Sequence, residues 1–416
     1  MSARARDEAL VHLDTDDRGP RLVGRLRRAG SGQRADLSFE YAPEWLRAAD
    51  AFTLEPSLDL IQGEQRRSSG LHGIFSDAAP DRWGRRLLER REAQLARSEG
   101  RAARALDEWD FLVGVSDATR MGALRFARTE GGPFVDDQRL AVPPKASLRT
   151  LEGIAARLER GDRASDEEVT RWLEQLLAPG ASLGGTRPKA SFESEDGVMW
   201  LAKFASPNDR RDVGAWEYVQ TRLAARARIT VPETEILTLG EGYRTFAARR
   251  FDREGAHRTH FASAMTLLDE QDHAEGVSYL DIAGAVERYG PPTRAVIDSD
   301  LEELFRRVVF NALAGHRDDH LRNHGFLHDG SGWRLSPAFD LNPIPDKHEH
   351  ELTFDGRSAL PDLGTIVGTA ALYRLSSDRA DELVAEVRAA VATWREVARE
   401  AGIGRDEVDL MAPAYQ

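Results

Sequence analysis

The stretch HRDDHLRNHGFLHDGSGWRLSPAFD, residues 316–340, is the part of the chain from which the fold can be read. Asp318 stands five positions before Asn323. That is the spacing of a phosphotransfer loop in which an aspartate accepts the hydroxyl proton and an asparagine holds a metal ion. GFL and WRL flank a turn rich in Asp, Gly and Ser, so the two triplets should pair as a hairpin. Such a hairpin brings Asn323 and Asp340 back toward each other. One amide oxygen and one carboxylate are hard ligands suited to magnesium. Two other readings compete: a charged helix terminus with capping histidines, or a zinc site from His316, His320 and His324 at helical spacing. Asn323 and Gly325 favour a loop, which weighs against both.

Phosphoryl transfer also needs a triphosphate held by backbone amides and a lysine. In SLGGTRPKAS, residues 182–191, Gly184 and Gly185 let N–H groups approach phosphate with no Cβ in the way. Alone, the pair reads equally well as an ordinary turn. The strand VMWLAKFAS follows, with Met199, Leu201 and Lys203 on one face. Of 57 basic residues only four are lysines, at 145, 189, 203 and 347. Arginine serves wherever any surface cation would do, so a lysine marks a place that needs a compact ammonium. Lys189 and Lys203 both fall in this segment. Glu217, on the next helix, is placed to pair with Lys203, although a helical glutamate more often faces solvent.

Hydrophobic residues make up 41% and charged residues 31% of the 416-residue chain, with no repeat or biased tract, so folded globular lobes are expected. A net charge of −13 argues against a broad nucleic-acid-binding surface. Arg82, Arg85, Arg86, Arg90 and Arg91 read as a solvated helix face with acids nearby. There is no cysteine, hence no disulfide and no thiolate zinc site. No apolar run is long enough for a signal peptide or a spanning helix, which predicts a soluble, cytoplasmic chain without membrane contact.

RLVGRL, LSFEY and AFTLEP, between residues 21 and 56, read as short strands. A helix from Pro80 should bury Trp83, Leu87, Leu88 and Leu95, and Ser165 with Glu168 forms a capping box. GGPFVDDQRLAVPP, ending at Pro144, reads as a loop or subdomain boundary. Helical spacing governs LEELFRRVVFNALAG and ELVAEVRAAVATWREVARE further on. The expectation is an α+β protein with a β-rich N-terminal lobe, a mainly helical C-terminal lobe and a cleft between them. The boundaries read as 1–135, 136–248 and 249–416.

Together these segments resemble the HipA-like kinases. LVGRL with LSFEYAPEWL resembles the family's β-rich N-terminal part. GLHGIFSDAAPDRWGRRLLERR, FLVGVSDATRMGALRF, SLGGTRPKAS, ARRFDR and HRDDHLRNHGF resemble its later motifs, up to about residue 345. The resemblance implies a two-lobed protein-kinase-like fold and an ATP- and magnesium-dependent serine/threonine kinase. It implies that Gly184, Gly185, Thr186, Arg187, Pro188 and Lys189 line the phosphates and that Lys203 contacts them. Arg249, Arg250 and Phe251 would receive adenine, and His320 and Asp340 would also touch ATP. Asp318 would be the base, Asn323 and Asp340 the metal ligands, and Ser182 a site of inactivating autophosphorylation. The family role implied is the toxin of a toxin–antitoxin pair. Its partners would be an unidentified protein substrate and a helix-turn-helix antitoxin of the HipB type, with DNA reached only through that antitoxin. Arg249 stands where the family often has Glu, HRD replaces small polar residues, and HFASAMTLL does not reproduce the family's downstream motif. A small-molecule phosphotransferase and a catalytically silent partner of a DNA-binding antitoxin remain as alternatives.

Overall fold

The computed structural model describes residues 7–15, 19–30, 36–67, 70–135, 142–162, 164–177, 185–271 and 276–416. The chain forms two compact units, one of Met1–Pro207 with Asp252–Ala262 and one of Asn208–Phe251 with Ser263–Gln416. The boundary at 207/208 lies inside the segment 136–248 that the sequence reading kept whole.

In the first unit, Asp7–Leu13, Arg21–Ala29, Asp36–Tyr41, Leu124–Ala127 and Phe134–Val135 form a five-stranded antiparallel sheet, ordered third, second, first, fourth, fifth. The sequence reading passed over Asp7–Leu13, the middle strand. Its Ala9, Leu10 and Val11 are all buried, so it runs apolar without alternation, as a strand covered on both faces does. AFTLEP is not a strand. Leu54 and Glu55 are buried there, and the Glu55 carboxylate accepts from Ile74 N–H at 2.6 Å and lies 3.1 Å from His72 Nδ1. A buried acid needs such convergent donors, and a strand ladder does not supply them.

Helix Arg82–Ser98 starts at Asp81, whose carboxylate accepts from Gly84 N–H at 2.9 Å. Trp83, Leu87 and Leu88 are buried as expected, but Leu95 is 44% exposed. The buried face turns instead to Glu92, Gln94 and Ala96, because Glu92 holds the Arg101 guanidinium and the Arg104 N–H. The arginine stripe is partly tied down: Arg85 grips Glu108 at 2.6 and 2.8 Å, and Arg90 donates to Leu158 O at 2.8 Å. The capping box forms, with Ser165 N–H to Glu168 at 2.9 Å and Glu168 N–H to Ser165 Oγ at 3.3 Å. Lys189–Glu193 and Met199–Lys203 pair antiparallel, with Lys189 directly opposite Lys203.

The second unit is built on helix Arg294–Ala314, whose Leu304, Phe305, Val308, Val309, Phe310 and Ala312 are buried almost completely. Its last two turns, VVFNALA at 308–314, are buried on every side, and a helical stretch of that kind belongs in the middle of a core. Helices Val213–Arg226, Tyr279–Tyr289 and Ser377–Val391 pack around it. The long C-terminal helical pattern breaks after Val391 and resumes as Trp394–Glu400. At the break, Thr393 Oγ1 bonds Ala390 O at 2.7 Å and accepts from Arg226 at 2.9 Å. Among the described residues no helix is long and apolar enough to cross a membrane.

Gly315 closes the central helix in the left-handed region, φ 66°. A Cβ there would sit 2.2 Å from Ala414 O, so only glycine ends the helix at this point. HRDD is therefore a loop leaving a helix, not the end of one.

Candidate active site

The central helix delivers residues 316–323 from its C-terminus. Leu321–Asn323 is a single 3-10 turn, with Asn323 N–H on His320 O at 2.8 Å. Gly325–His328 then pairs with Trp333–Leu335, Phe326 opposite Leu335, as the spacing of GFL and WRL predicts.

The two adjacent aspartates have opposite fates. The Asp318 side chain is 62% exposed, whereas that of Asp319 is 2% exposed. Asp319 Oδ2 accepts from Tyr279 OH at 2.8 Å and Asn311 Nδ2 at 2.7 Å, and lies 2.8 Å from His324 Nε2. His316 Nε2 is 3.5 Å from its other oxygen. Burial would push the Asp319 carboxyl up, but His324 and His316 hold it well below the usual carboxylate range. Burial likewise pulls the His316 imidazole down, and the hydrogen bond and charge of Asp319 overcome it and raise it. Two of the histidines that suggested zinc thus anchor the loop. The third, His320, has a buried Nδ1 without a hydrogen-bond partner among the described residues.

Asp340 lies in a segment pinned along its length. Arg307 donates to Ser336 O at 2.8 Å, Ala338 N–H to Thr230 O at 2.8 Å, and Ile344 N–H to Gly315 O at 2.9 Å. The Phe339 ring is 5.5 Å from the ring of Phe251. His316 Nδ1 donates to Asn342 O at 3.1 Å, which couples this segment to the 316–323 loop. Asp340 itself has φ 57°, a conformation a non-glycine residue holds at a cost and one that clusters at functional sites. Asn323 Nδ2 donates to Asp318 O at 3.3 Å, which turns the amide oxygen the other way. One carboxylate and one amide oxygen, completed by phosphate oxygens and water, are a donor set magnesium takes, so these residues fit that ion.

In the first unit, Ser182 and Gly184 lie outside the described residues. Gly185 has φ 102°, and it and Thr186 are exposed. Arg187 donates to Phe204 O at 3.2 Å, and Pro188 O accepts from Phe204 N–H at 2.9 Å. Lys189 is 1% exposed and ion-paired with Asp81. Its ammonium lies 3.3 Å from where a Gly185 side chain would begin. Lys203 faces the same side of the strand pair. Two ammonium groups in register repel, and the Asp81 carboxylate is an anion set against Lys189. Burial raises the Asp81 carboxyl although Lys189 pulls it back. The sequence pattern marked Asp81 at most as a helix start.

Of the remaining candidates, Glu217 is 2% exposed on helix Val213–Arg226 rather than facing solvent. Arg249 N–H donates to Glu233 O at 2.8 Å while its side chain is 44% exposed, and Arg250 is buried.

The outward aspartate, the inward asparagine and the later strained aspartate all belong to the second, largely helical unit, and the first unit is sheet-bearing, an α+β architecture. The HipA-like C-terminal domain matches residues 181–394 and the HipA N-terminal domain residues 18–127, and the chain belongs to the HipA-like family. A putative kinase of Haemophilus influenzae is 26% identical over 219 residues, 47% of this chain and 61% of that protein. The serine/threonine-protein kinase toxin HipA of Shewanella oneidensis is 22% identical over 269 residues, 56% of this chain and 59% of that one. The chain thus matches about three fifths of the length of these relatives. The solved complex of Shewanella oneidensis HipA with HipB and operator DNA matches over 97% of this chain and 94% of that one, with a TM-score of 0.66 at 17% identity. That likeness shows the fold.

Proposed function

We propose that the chain is an ATP- and magnesium-dependent serine/threonine protein kinase, the toxin of a toxin–antitoxin pair. The observation that carries this reading is Asp318, 62% exposed on a loop whose neighbour Asp319 is locked into the core. The acceptor hydroxyl oxygen attacks the γ-phosphorus of ATP, and the bond to the β-phosphate oxygen breaks. ADP leaves with that electron pair, and the hydroxyl proton passes to the Asp318 carboxylate. Asn323 and Asp340 would hold magnesium, which supplies neutralising charge to the phosphate oxygens. Gly185, Thr186, Arg187, Pro188, Lys189 and Lys203 serve the phosphates, Arg249 to Phe251 and His320 the rest of the nucleotide.

An open base suits a hydroxyl presented on a protein surface. The net charge of −13 suits a chain that meets DNA only through a HipB-type antitoxin. Phosphate on Ser182 would add about −1.5 to −2 charges close to Lys189 in sequence and oppose ATP, giving self-inactivation.

Labelled ATP incubated with a cell extract and the purified chain tests the reading. A labelled protein band that disappears with Asp318→Asn is expected. A labelled small molecule would turn the assignment to a small-molecule phosphotransferase, and no transfer at all would leave a silent regulatory partner.

A further inference from the structure

Lys347 is one of only four lysines in a chain that otherwise uses arginine. Its Nζ lies 4.0 Å from Asp318 Oδ1 and is ion-paired with Glu351. The segment that carries it is fixed on both sides. Upstream, Ile344 N–H donates to Gly315 O at 2.9 Å and Arg317 donates to Ile344 O, so the start of the catalytic loop and the approach to Lys347 move as one piece. Downstream, His350 N–H donates to Ala359 O at 2.9 Å, and Thr353 bonds Val277 O at 3.0 Å and Tyr279 N–H at 3.1 Å.

The three side chains stand open to solvent, Lys347 at 33%, Asp318 at 62% and Glu351 at 42%. A solvated pair of this kind contributes little stability, so stability does not explain a lysine here. A partly exposed ammonium beside the base, paired with a second carboxylate four positions on in sequence, can exchange that carboxylate for an arriving anion. A guanidinium fork presents its charge less compactly.

We propose that Lys347 is a further catalytic residue. Its ammonium contacts the phosphoryl group in transit and disperses the charge on its oxygens while Asp318 takes the hydroxyl proton. Glu351 holds the ammonium until the phosphate arrives. The proposal rests on the kinase reading: the acceptor oxygen bonds the γ-phosphorus, ADP departs with the electron pair of the broken bond, and Lys347 keeps its protons throughout.

The test uses the full chain with magnesium-ATP and a cell extract as acceptor. Lys347→Met should lower turnover by about 100- to 1,000-fold and leave the KM for ATP within about twofold. Lys347→Arg, which keeps the charge, should retain a tenth of the rate or more. Turnover within twofold of wild type in Lys347→Met overturns the proposal while leaving the kinase reading intact; a wild-type chain without transfer overturns that reading instead. A second readout needs no turnover. With four lysines, 13C-methylation gives few NMR signals, and the one lost in Lys347→Arg is assigned. It should move when magnesium and a non-hydrolysable ATP analogue are added. A signal that stays in place overturns the proposal.

Discussion

Replacing Asp319 by alanine removes the acceptor on which the 316–323 loop is hung. Tyr279 OH, Asn311 Nδ2 and His324 Nε2, at 2.7 to 2.8 Å, all lose this acceptor in a site 2% exposed, and Asn311 Nδ2 keeps only its 3.3 Å bond to Tyr279 OH. A stranded buried donor costs about 1–3 kcal/mol. The three share one oxygen, so their costs do not add in full. The expected loss is about 3–5 kcal/mol, as when one member of a buried ion pair is removed.

The pH dependence has a definite sign. The depressed Asp319 carboxyl contributes fully above its unfolded value of about 3.9 and loses its contribution only as pH falls through the lower folded value. The raised His316 imidazole contributes below about 6.5 and loses its contribution as pH rises through its folded value. The gap between wild type and Asp319→Ala is therefore largest between about pH 5 and 6.5 and narrows toward alkaline pH. Urea unfolding followed by tryptophan fluorescence across this range measures it. A loss under about 1 kcal/mol at pH 6, or a gap that widens with pH, would refute the reasoning.

Burial, then the charge of His316, lowers His350 to about 3 from 6.5, and neither ring nitrogen has a hydrogen-bond partner among the described residues. The unfolded chain takes that proton first, so stability is complete above about pH 6.5 and declines toward pH 3, by at most about 5 kcal/mol. His350→Leu should shift the acid-unfolding midpoint to lower pH while changing stability at pH 7.5 by less than about 1 kcal/mol; an unmoved midpoint would contradict this. On the proposed role of Asp340 as a magnesium ligand, Asp340→Ala should weaken binding of an ATP analogue in a magnesium-dependent way. Calorimetry at several magnesium concentrations reads it, and an unchanged metal dependence would take Asp340 out of the site.

What the sequence made legible was the part written in local spacing. The GFL and WRL hairpin and the Ser165–Glu168 box depend on neighbours a few residues away, and both appear as read. The supports of the site were not legible because their partners are remote. Asp319 meets Tyr279 across 40 positions, and Lys189 meets Asp81 across 108. Nothing in HRDD tells which aspartate turns inward; that is decided by Asn311 and Tyr279 offering donors inside the core. Leu95 and AFTLEP departed from expectation for the same reason, since buried Glu92 and Glu55 recruit distant donors and reset the local pattern. Lysine scarcity drew attention to Lys189, which the fold buries against Asp81.

The central claim is that Asp318 is the base of a phosphotransfer reaction. Its most direct test is the single-turnover transfer rate of wild type and Asp318→Asn, with the affinity of each for an ATP analogue measured alongside. The account predicts a rate lower by about 10²–10⁴-fold and nucleotide affinity within about threefold of wild type. A variant that transfers phosphate at the wild-type rate would contradict it.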